Sequence, residues 1–375
     1  MELQFKPAPA TKANEKGIEV KNYNGKKIYI GLDVHKKGWQ VSIRIDNREI
    51  ENYSMDPDPD QLYRSLKRKY PGAIYYCVYE AGFSGYWIHR RLIGLGINNI
   101  ITHPADIPQR GKEKARKTDR TDASKLSREL ESGNLEGIYV PGEAEETIRS
   151  MNRYRKVLSR QGAKIKTQIK HFLLTKGISY PESKTGKGSW SRSRVERLMH
   201  KSSMSRGDKK IIEGKLNDLA YIARRIKEVN DELLRLIKED EARQRHYENI
   251  RSIPGVGVVI STTLIGELGN HERFSSLDKL KSYVGLVPMT YSSGDREKVL
   301  GLSKRHNLNL RQMLIEGAWN ALYRDEGMRQ RYTELLKRGM KPVNAIIRIA
   351  VKLLRIIIRV WKTGEKYHKM IPVKA

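Results

Sequence analysis

Residues 27–43, KIYIGLDVHKKGWQVSI, constrain the fold more tightly than any other stretch. Ile28, Tyr29, Ile30, Gly31, Leu32 and Val34 form a short apolar run without helical period, rich in β-branched and aromatic residues. Such a run reads as a buried strand. His35-Lys36-Lys37-Gly38 turns the chain, and Trp39, Val41 and Ile43 alternate with polar residues as a second, antiparallel strand. One carboxylate, Asp33, interrupts the first strand near its C-terminal end. Removed from water, it needs a metal, an arginine or backbone amides as a partner. A lone aspartate there would equally well hydrogen-bond the turn that follows, so its meaning depends on the other carboxylates.

The next elements place a second carboxylate. Glu49 to Met55 adds a third strand, and Pro57 to Lys69 reads as a helix burying Leu62 and Leu66. Ala73 to Tyr79, AIYYCVY, is another buried strand, and it ends in Glu80. Tyr86 to Leu95 is helical, Ile97 to Thr102 is a strand, and Thr121 to Glu131 begins a further helix. Three strands, a helix, then alternating strand and helix is the order of a ribonuclease-H-like domain. That is an α/β fold with a mixed sheet, and it binds ligands at the C-terminal ends of its strands. We assign it to residues 25–140, after a loose polar arm over 1–24.

Beyond it the chain reads as mainly helical, so the fold class is α/β plus α. Residues 141–249 are assigned to a coiled-coil-like linker that binds RNA, and 250–375 to a C-terminal domain. Glu145 to Lys176 carries Arg149, Arg153, Lys156, Arg160, Lys164 and Lys170 on a helix whose other side is apolar. Lys184 to Gly207, rich in Ser, Gly, Lys and Arg, reads as a loop, flexible or ordered by RNA. One long helix is expected from Lys210 to Tyr247, with Leu219, Ile222, Ile226, Val229, Leu233 and Leu236 as a seam. That seam suits either the preceding helix or a second copy of the chain.

Ile253-Pro-Gly-Val-Gly257, followed by a helix, resembles a helix-hairpin-helix, in which Gly255 and Gly257 would turn backbone amides to a phosphate. Phe274 to Val284 reads as a helix, and Gly285 to Gly294 as a loop with two adjacent serines. The basic residues Arg296, Lys304 and Arg305 follow it. The last helix bears Arg348, Lys352, Arg355 and Arg359 as one stripe, read as a solvated face.

Charge narrows the function classes. The chain holds 73 Lys and Arg against 43 Asp and Glu, a formal net charge of +30. That excess calls for a large polyanion, and nucleic acid is the first candidate. The single cysteine, Cys77, excludes an intramolecular disulfide and a Cys/His zinc framework around it. The N-terminal residues lack an apolar core of signal-peptide type, and the most apolar stretch, Val343 to Trp361, is broken by four cations. A cytoplasmic protein without a membrane span is expected.

Four carboxylates then form one pattern. Asp33 and Glu80 end strands, while Asp119 and Asp122 sit in Lys-Thr-Asp-Arg-Thr-Asp-Ala on one face of a helix start. Converging carboxylates repel, and a pair of Mg²⁺ ions would relieve them, because Mg²⁺ takes hard oxygen ligands. Taken alone, Asp119 and Asp122 would read as helix caps paired with Lys117 and Arg120.

The quartet resembles the DEDD site of Holliday-junction-resolvase-like (RuvC-like) domains. Ile-Gly-Leu-Asp-Val-His-Lys-Lys, Tyr-Glu-Ala-Gly-Phe-Ser-Gly-Tyr and Lys-Thr-Asp-Arg-Thr-Asp-Ala look like the insertion-sequence 110 family of DEDD recombinases. Ile-Pro-Gly-Val-Gly, Tyr-Val-Gly-Leu-Val-Pro, and Ser-Ser-Gly with the later Ser-Lys-Arg-His-Asn resemble that family's second transposase domain. The resemblance covers roughly residues 27 to 135 and 250 to 325.

It implies a site-specific recombinase that moves its own element, with a composite active site and a structured bridge RNA that selects target and donor DNA. Carried over, the Mg²⁺ ligands are Asp33, Glu80, Asp119 and Asp122, and the nucleophile lies in Ser292-Ser293-Gly294, with Ser292 first and Ser293 as the alternative. Where the family often has a second glycine and a lysine, this chain has Asp295-Arg296, leaving Arg296 as the cation for a phosphate. The product would be a 5′-phosphoserine link, and the assembly a homo-oligomer, dimer or tetramer. Two other readings stand beside it: a metal-dependent nuclease or resolvase without a covalent intermediate, and a non-catalytic nucleic-acid scaffold.

Overall fold

The computed structural model describes residues 23–108, 118–180, 190–201, 204–293, 296–303 and 305–368. The chain forms two compact units that divide between Val140 and Pro141. The expected arm over 1–24 lies almost wholly outside the described residues, as do Lys117, Gly294, Asp295 and Lys304.

In the first unit, β1 (Lys27–Val34), β2 (Trp39–Ile45) and β3 (Arg48–Met55) form an antiparallel meander. Asp46 and Asn47 both take positive φ between β2 and β3. A tight turn that follows the strands' twist needs that backbone, and Asn and Asp tolerate it best after glycine. Then come α1 (Pro59–Lys69), β4 (Ile74–Glu80), α2 (Trp87–Gly94), β5 (Asn98–Thr102) and α3 (Asp119–Glu131). The sheet order is β3-β2-β1-β4-β5, with β4 parallel to β1 and β5 parallel to β4. This mixed α/β architecture is consistent with a ribonuclease-H-like DEDD domain.

Period two sorts the faces of the sheet. Ile28, Ile30 and Leu32 are fully buried in one core with Leu62 and Leu66 of α1 and Ile88 and Leu92 of α2. Each such side chain contributes roughly 1.5–3 kcal/mol by leaving water. Gly31 and Asp33 therefore belong to the opposite face, where Val78 packs on Leu126 of α3. Glu80 shares that face with Val78.

The second unit is helical, with one hairpin. Its elements are α4 (Glu143–Thr175), α5 (Arg192–Lys201), α6 (Arg206–Lys238), α7 (Glu241–Arg251), α8 (Val258–Leu268) and α9 (Leu277–Val284). The hairpin β6 (Pro288–Ser293) and β7 (Arg296–Leu302) follows, then α10 (Leu308–Arg324), α11 (Glu326–Lys337) and α12 (Pro342–Thr363). One continuous core runs from Ile148 and Leu158 through Val229 and Leu264 to Leu353 and Trp361. The boundary expected at 249/250 is therefore crossed by packing.

Four expectations about local structure change. The single helix over Lys210–Tyr247 is two, because Asp240 leaves helical geometry and accepts a hydrogen bond from the Arg243 amide as the N-cap of α7. The Lys184–Gly207 loop contains α5, whose Val195 and Met199 bury against Ile169, Leu173 and Ile212. Four-residue spacing inside a Ser/Arg-rich run hid that helix. The serine loop is strand: Ser292 stands opposite Glu297 and Ser293 opposite Arg296. Phe274 lies before α9, capping a short 3-10 turn over His271–Arg273.

The Leu219–Leu236 seam is spent within the chain. α6 packs antiparallel on α4, as Gly162 beside Leu219 and Ile222, Lys215 Nζ 3.0 Å from Gln168 Oε1, and the Lys176–Asp208 ion pair at 2.8 Å show. Arg348, Lys352, Arg355 and Arg359 of α12 are exposed opposite its buried Ile and Leu, as expected. Among the described residues, no helix is long and apolar enough to cross a membrane.

Candidate active site

Gly31 positions the site. A Cβ there would come within 2.2 Å of the Ala123 carbonyl oxygen and 2.5 Å of the Ser127 amide, so only glycine lets α3 lie directly on β1. A polar network fixes α3's register. Ser127 and Ser42 share a buried hydrogen bond of 2.7 Å, and Asn52 donates to Ser124 Oγ at 2.7 Å and to the Arg120 carbonyl at 3.2 Å. Glu49 accepts from Ser42, Ser124 and Asn52. Burial opposes its charge, but these donors and Arg44 outweigh it and hold the carboxyl below the usual range.

With α3 set this way, its first turn meets the end of β1. His35 Nε2 lies 3.2 Å from Asp33 Oδ2 and 3.6 Å from Asp119 Oδ1. One ligand atom from each of these three residues lies within 4.8 Å of the others. Burial pushes the Asp33 carboxyl above its ordinary value; the charges of Asp119 and Asp122 add to that, while His35 pulls the other way. Asp122 is therefore close enough to act on Asp33. Helix capping falls to Thr118, whose hydroxyl accepts from the Thr121 amide, and not to the two aspartates. Their charge at a helix N-terminus is favoured by the dipole. Glu80 ends β4 one step beyond the Leu32–Tyr79 pair, beside Asp33 on the adjacent strand.

This donor set, carboxylate oxygens with one imidazole and a net negative charge, fits a hard divalent cation. His35 joins the site in addition to the carboxylates that the sequence singles out. Its signal is the spacing Asp-x-His at a strand end, which returns the ring to the carboxylate.

The residues expected to bind nucleic acid are divided. Arg149 is buried, and its Nε donates to the Gly266 carbonyl at 2.9 Å. Arg153 makes two hydrogen bonds to the buried Glu267, of 2.8 and 3.0 Å. Gly255 is buried at φ +90, 2.6 Å from the Ala321 amide nitrogen by its would-be Cβ, so its glycine serves packing against α10. Gly257, Arg160, Lys164 and Arg305 are exposed, Lys156 Nζ donates to Asn309 at 2.7 Å, and Lys170 lies over the Tyr180 ring. Of Ser292 and Arg296 the structure describes the backbone, on facing strands.

A mixed sheet with Asp33, His35 and Asp119 gathered where β1 ends is the arrangement expected of enzymes that act on phosphodiesters. Residues 30–177 match the DEDD_Tnp_IS110 family model, described as a transposase, and residues 247–333 match the model of the transposase IS116/IS110/IS902 family. The chain belongs to the IS110 family of insertion-sequence transposases. It is 27% identical over 303 residues to the putative transposase y4qE of Sinorhizobium fredii, covering 79% of this chain and 72% of that one. It is 26% identical to the transposase for insertion sequence element IS1328 of Yersinia enterocolitica, over 68% of this chain and 75% of the other. With that for IS1533 of Leptospira borgpetersenii it shares 29% identity over 65% and 70% of the two chains.

Proposed function

We propose that this transposase cuts and rejoins DNA strands through a 5′-phosphoserine intermediate formed by Ser292, guided to target and donor DNA by a structured bridge RNA. The observation that carries the reading is the gathering of Asp33, His35 and Asp119, with the charge of Asp122 acting on Asp33, where β1 meets α3. Asp33, Glu80, Asp119 and Asp122 would hold the cations, and His35 would orient Asp33 and Asp119. Bound Mg²⁺ would supply Lewis acidity toward the scissile phosphate.

The Ser292 hydroxyl attacks phosphorus, forming a P–O bond as its proton departs to solvent. The P–O bond to the 3′-carbon's oxygen breaks, and the leaving oxygen takes up a proton as a 3′-hydroxyl. Bond count and charge balance, so a free 3′-hydroxyl can later reverse the step and rejoin DNA. Exposed cations such as Arg160 and Lys164 support contact with polyanions. An oligomer is proposed because one recombination cuts several strands; the α6 seam, occupied by α4, is not offered as its interface.

The test is denaturing electrophoresis of labelled DNA after reaction with its cognate RNA. A protein-shifted band present in wild type and absent in Ser292→Ala supports the reading. A band lost only in Ser293→Ala moves the nucleophile by one residue. Hydrolysed ends without an adduct in any variant hand the case to a metal-dependent nuclease. A protein that prefers its element's flanking transcript no more than random RNA of equal length sinks the guided part.

A further inference from the structure

The second unit contains a cleft of about 750 Å³ walled by α4, α8 and α10. Its size is that of small-molecule sites, and it combines an apolar wall with a few converging polar groups. Ala163, Val258, Ile260, Met313 and Ile315 supply the apolar wall, and Asn309, Gln312 and Asn320 supply amides.

Charge in the cleft does not balance locally. Four cations line it, Arg153, Arg155, Lys156 and Arg160, against Glu267 and Glu316. Glu267 is taken by Arg153, and Glu316 faces Arg155. Lys156 hydrogen-bonds only a neutral amide oxygen, on Asn309, and Arg160 makes no ion pair among the described residues. Burial, and then the charge of Arg160, hold the Lys156 ammonium below its usual value, although Glu316 and Glu267 pull the other way. The Nε of Arg155 is buried without a hydrogen-bond partner.

Two cations pressed together in this way favour a bound anion. The N-terminus of α8, a helix of 11 residues, opens on the same cleft with Gly257 as N-cap. Gly257 brings no side chain to the first-turn amides, and a Cβ there would meet open space. Those amides are donors suited to a phosphate.

We propose that this cleft takes one unstacked nucleotide of the bound nucleic acid, its phosphate on the α8 N-terminus beside Lys156 and Arg160 and its base against Ile260 and Met313. The proposal rests on the reading of this chain as nucleic-acid-binding, and it adds where a single base leaves the stack. A nucleotide is the occupant that matches both halves of the wall, since free phosphate would leave the apolar half wet.

The test uses the full chain and a short single strand carrying 2-aminopurine, which brightens when it unstacks. The strand is made once as RNA and once as DNA. No aromatic side chain is among those lining the cleft, so the extruded base stays bright there. A fluorescence rise is expected with the wild-type protein. It is expected to vanish in Lys156→Gln/Arg160→Gln and to persist in Arg348→Gln/Arg355→Gln, which removes equal charge from the solvated stripe of α12. The cleft pair should weaken binding roughly tenfold, the scale of losing a charge-assisted hydrogen bond. It should also lower the log–log salt slope by about 0.7 for the lost phosphate.

The strand that brightens identifies the source as RNA or DNA. Binding without a rise, a rise that survives the cleft pair, or an equal loss in the α12 pair overturns the pocket. A wild-type protein that binds neither strand overturns the nucleic-acid reading itself.

Discussion

Asp33 and Glu267 are both carboxylates drawn out of water, and their surroundings are opposite. Glu267, its side chain 1% exposed, accepts from Arg153, Asn307 and Asn309, and burial is outweighed so that its carboxyl sits below the usual range. Asp33, its side chain 22% exposed, has one imidazole as counterpart and two further carboxylates nearby, and its carboxyl is pushed up. The satisfied carboxylate ties α4, α8 and the start of α10 into one core. The under-compensated one stands at a strand end on the edge where this fold binds ligands. We take the under-compensated carboxylate as the candidate working site, because carboxylates perturbed by burial and by like charges collect at functional sites.

The sharpest way to break this contrast is Asp33→Asn. Loss of a metal ligand forfeits several kcal/mol of charge stabilisation. At 1.36 kcal/mol per tenfold, transposition should fall by about a thousandfold or more. In metal-free buffer the same variant should melt no lower than wild type, because it relieves repulsion. An Asp33→Asn protein that transposes normally would refute the metal site.

Glu267→Gln should do the reverse. Removing one partner of a buried ion pair costs about 3 kcal/mol, read as a lower urea midpoint, while cation binding at the first unit persists. Gly31→Ala comes next. Forcing a methyl against the Ala123 carbonyl should cost about 1–3 kcal/mol, and it should weaken Mn²⁺ binding measured by paramagnetic resonance, since α3 carries Asp119 and Asp122. Unaltered Mn²⁺ affinity in Gly31→Ala would show that the α3 approach does not set the site.

The smallest effect is in pH. Asp33 has its folded carboxyl raised above the ordinary value of 3.8, so the folded state holds more protons than the unfolded one just above that pH. Its contribution to stability therefore declines as pH rises through that window and is regained on acidification. Glu267 is lowered from 4.5, so its contribution is present above that value and lost as pH falls through its folded one. Urea titrations of Asp33→Asn and Glu267→Gln against wild type across the acid range should give differences of opposite slope. Slopes of the same sign would remove the distinction.

Much of the first unit was legible beforehand. Strand alternation puts Ile28, Ile30 and Leu32 on one face and Gly31 with Asp33 on the other, and the motif residues around Asp33, Glu80, Asp119 and Asp122 point to the family. His35 was less legible, because its value lies in a distance to Asp119, far along the chain. In the second unit, the stripe of cations on α4 was read as one surface, yet Arg149 turns into the core while Lys164 stays exposed. Both are long cations on one helix, and the difference is that α8 covers Arg149 and takes its hydrogen bond.

The sequence by itself determined the strands, most helix spans, the charge that calls for a polyanion, and the carboxylates at the strand ends. These follow from periods of two and 3.6 residues and from composition, which act within a few residues of one another. Tertiary structure alone decided that α4 fills the α6 seam, that Arg149 turns into the core, and that Arg153 is tied to Glu267. Each of these is a contest between a local preference and a partner distant in sequence. The partner's packing or hydrogen bond outweighs propensities worth a fraction of a kcal/mol per residue.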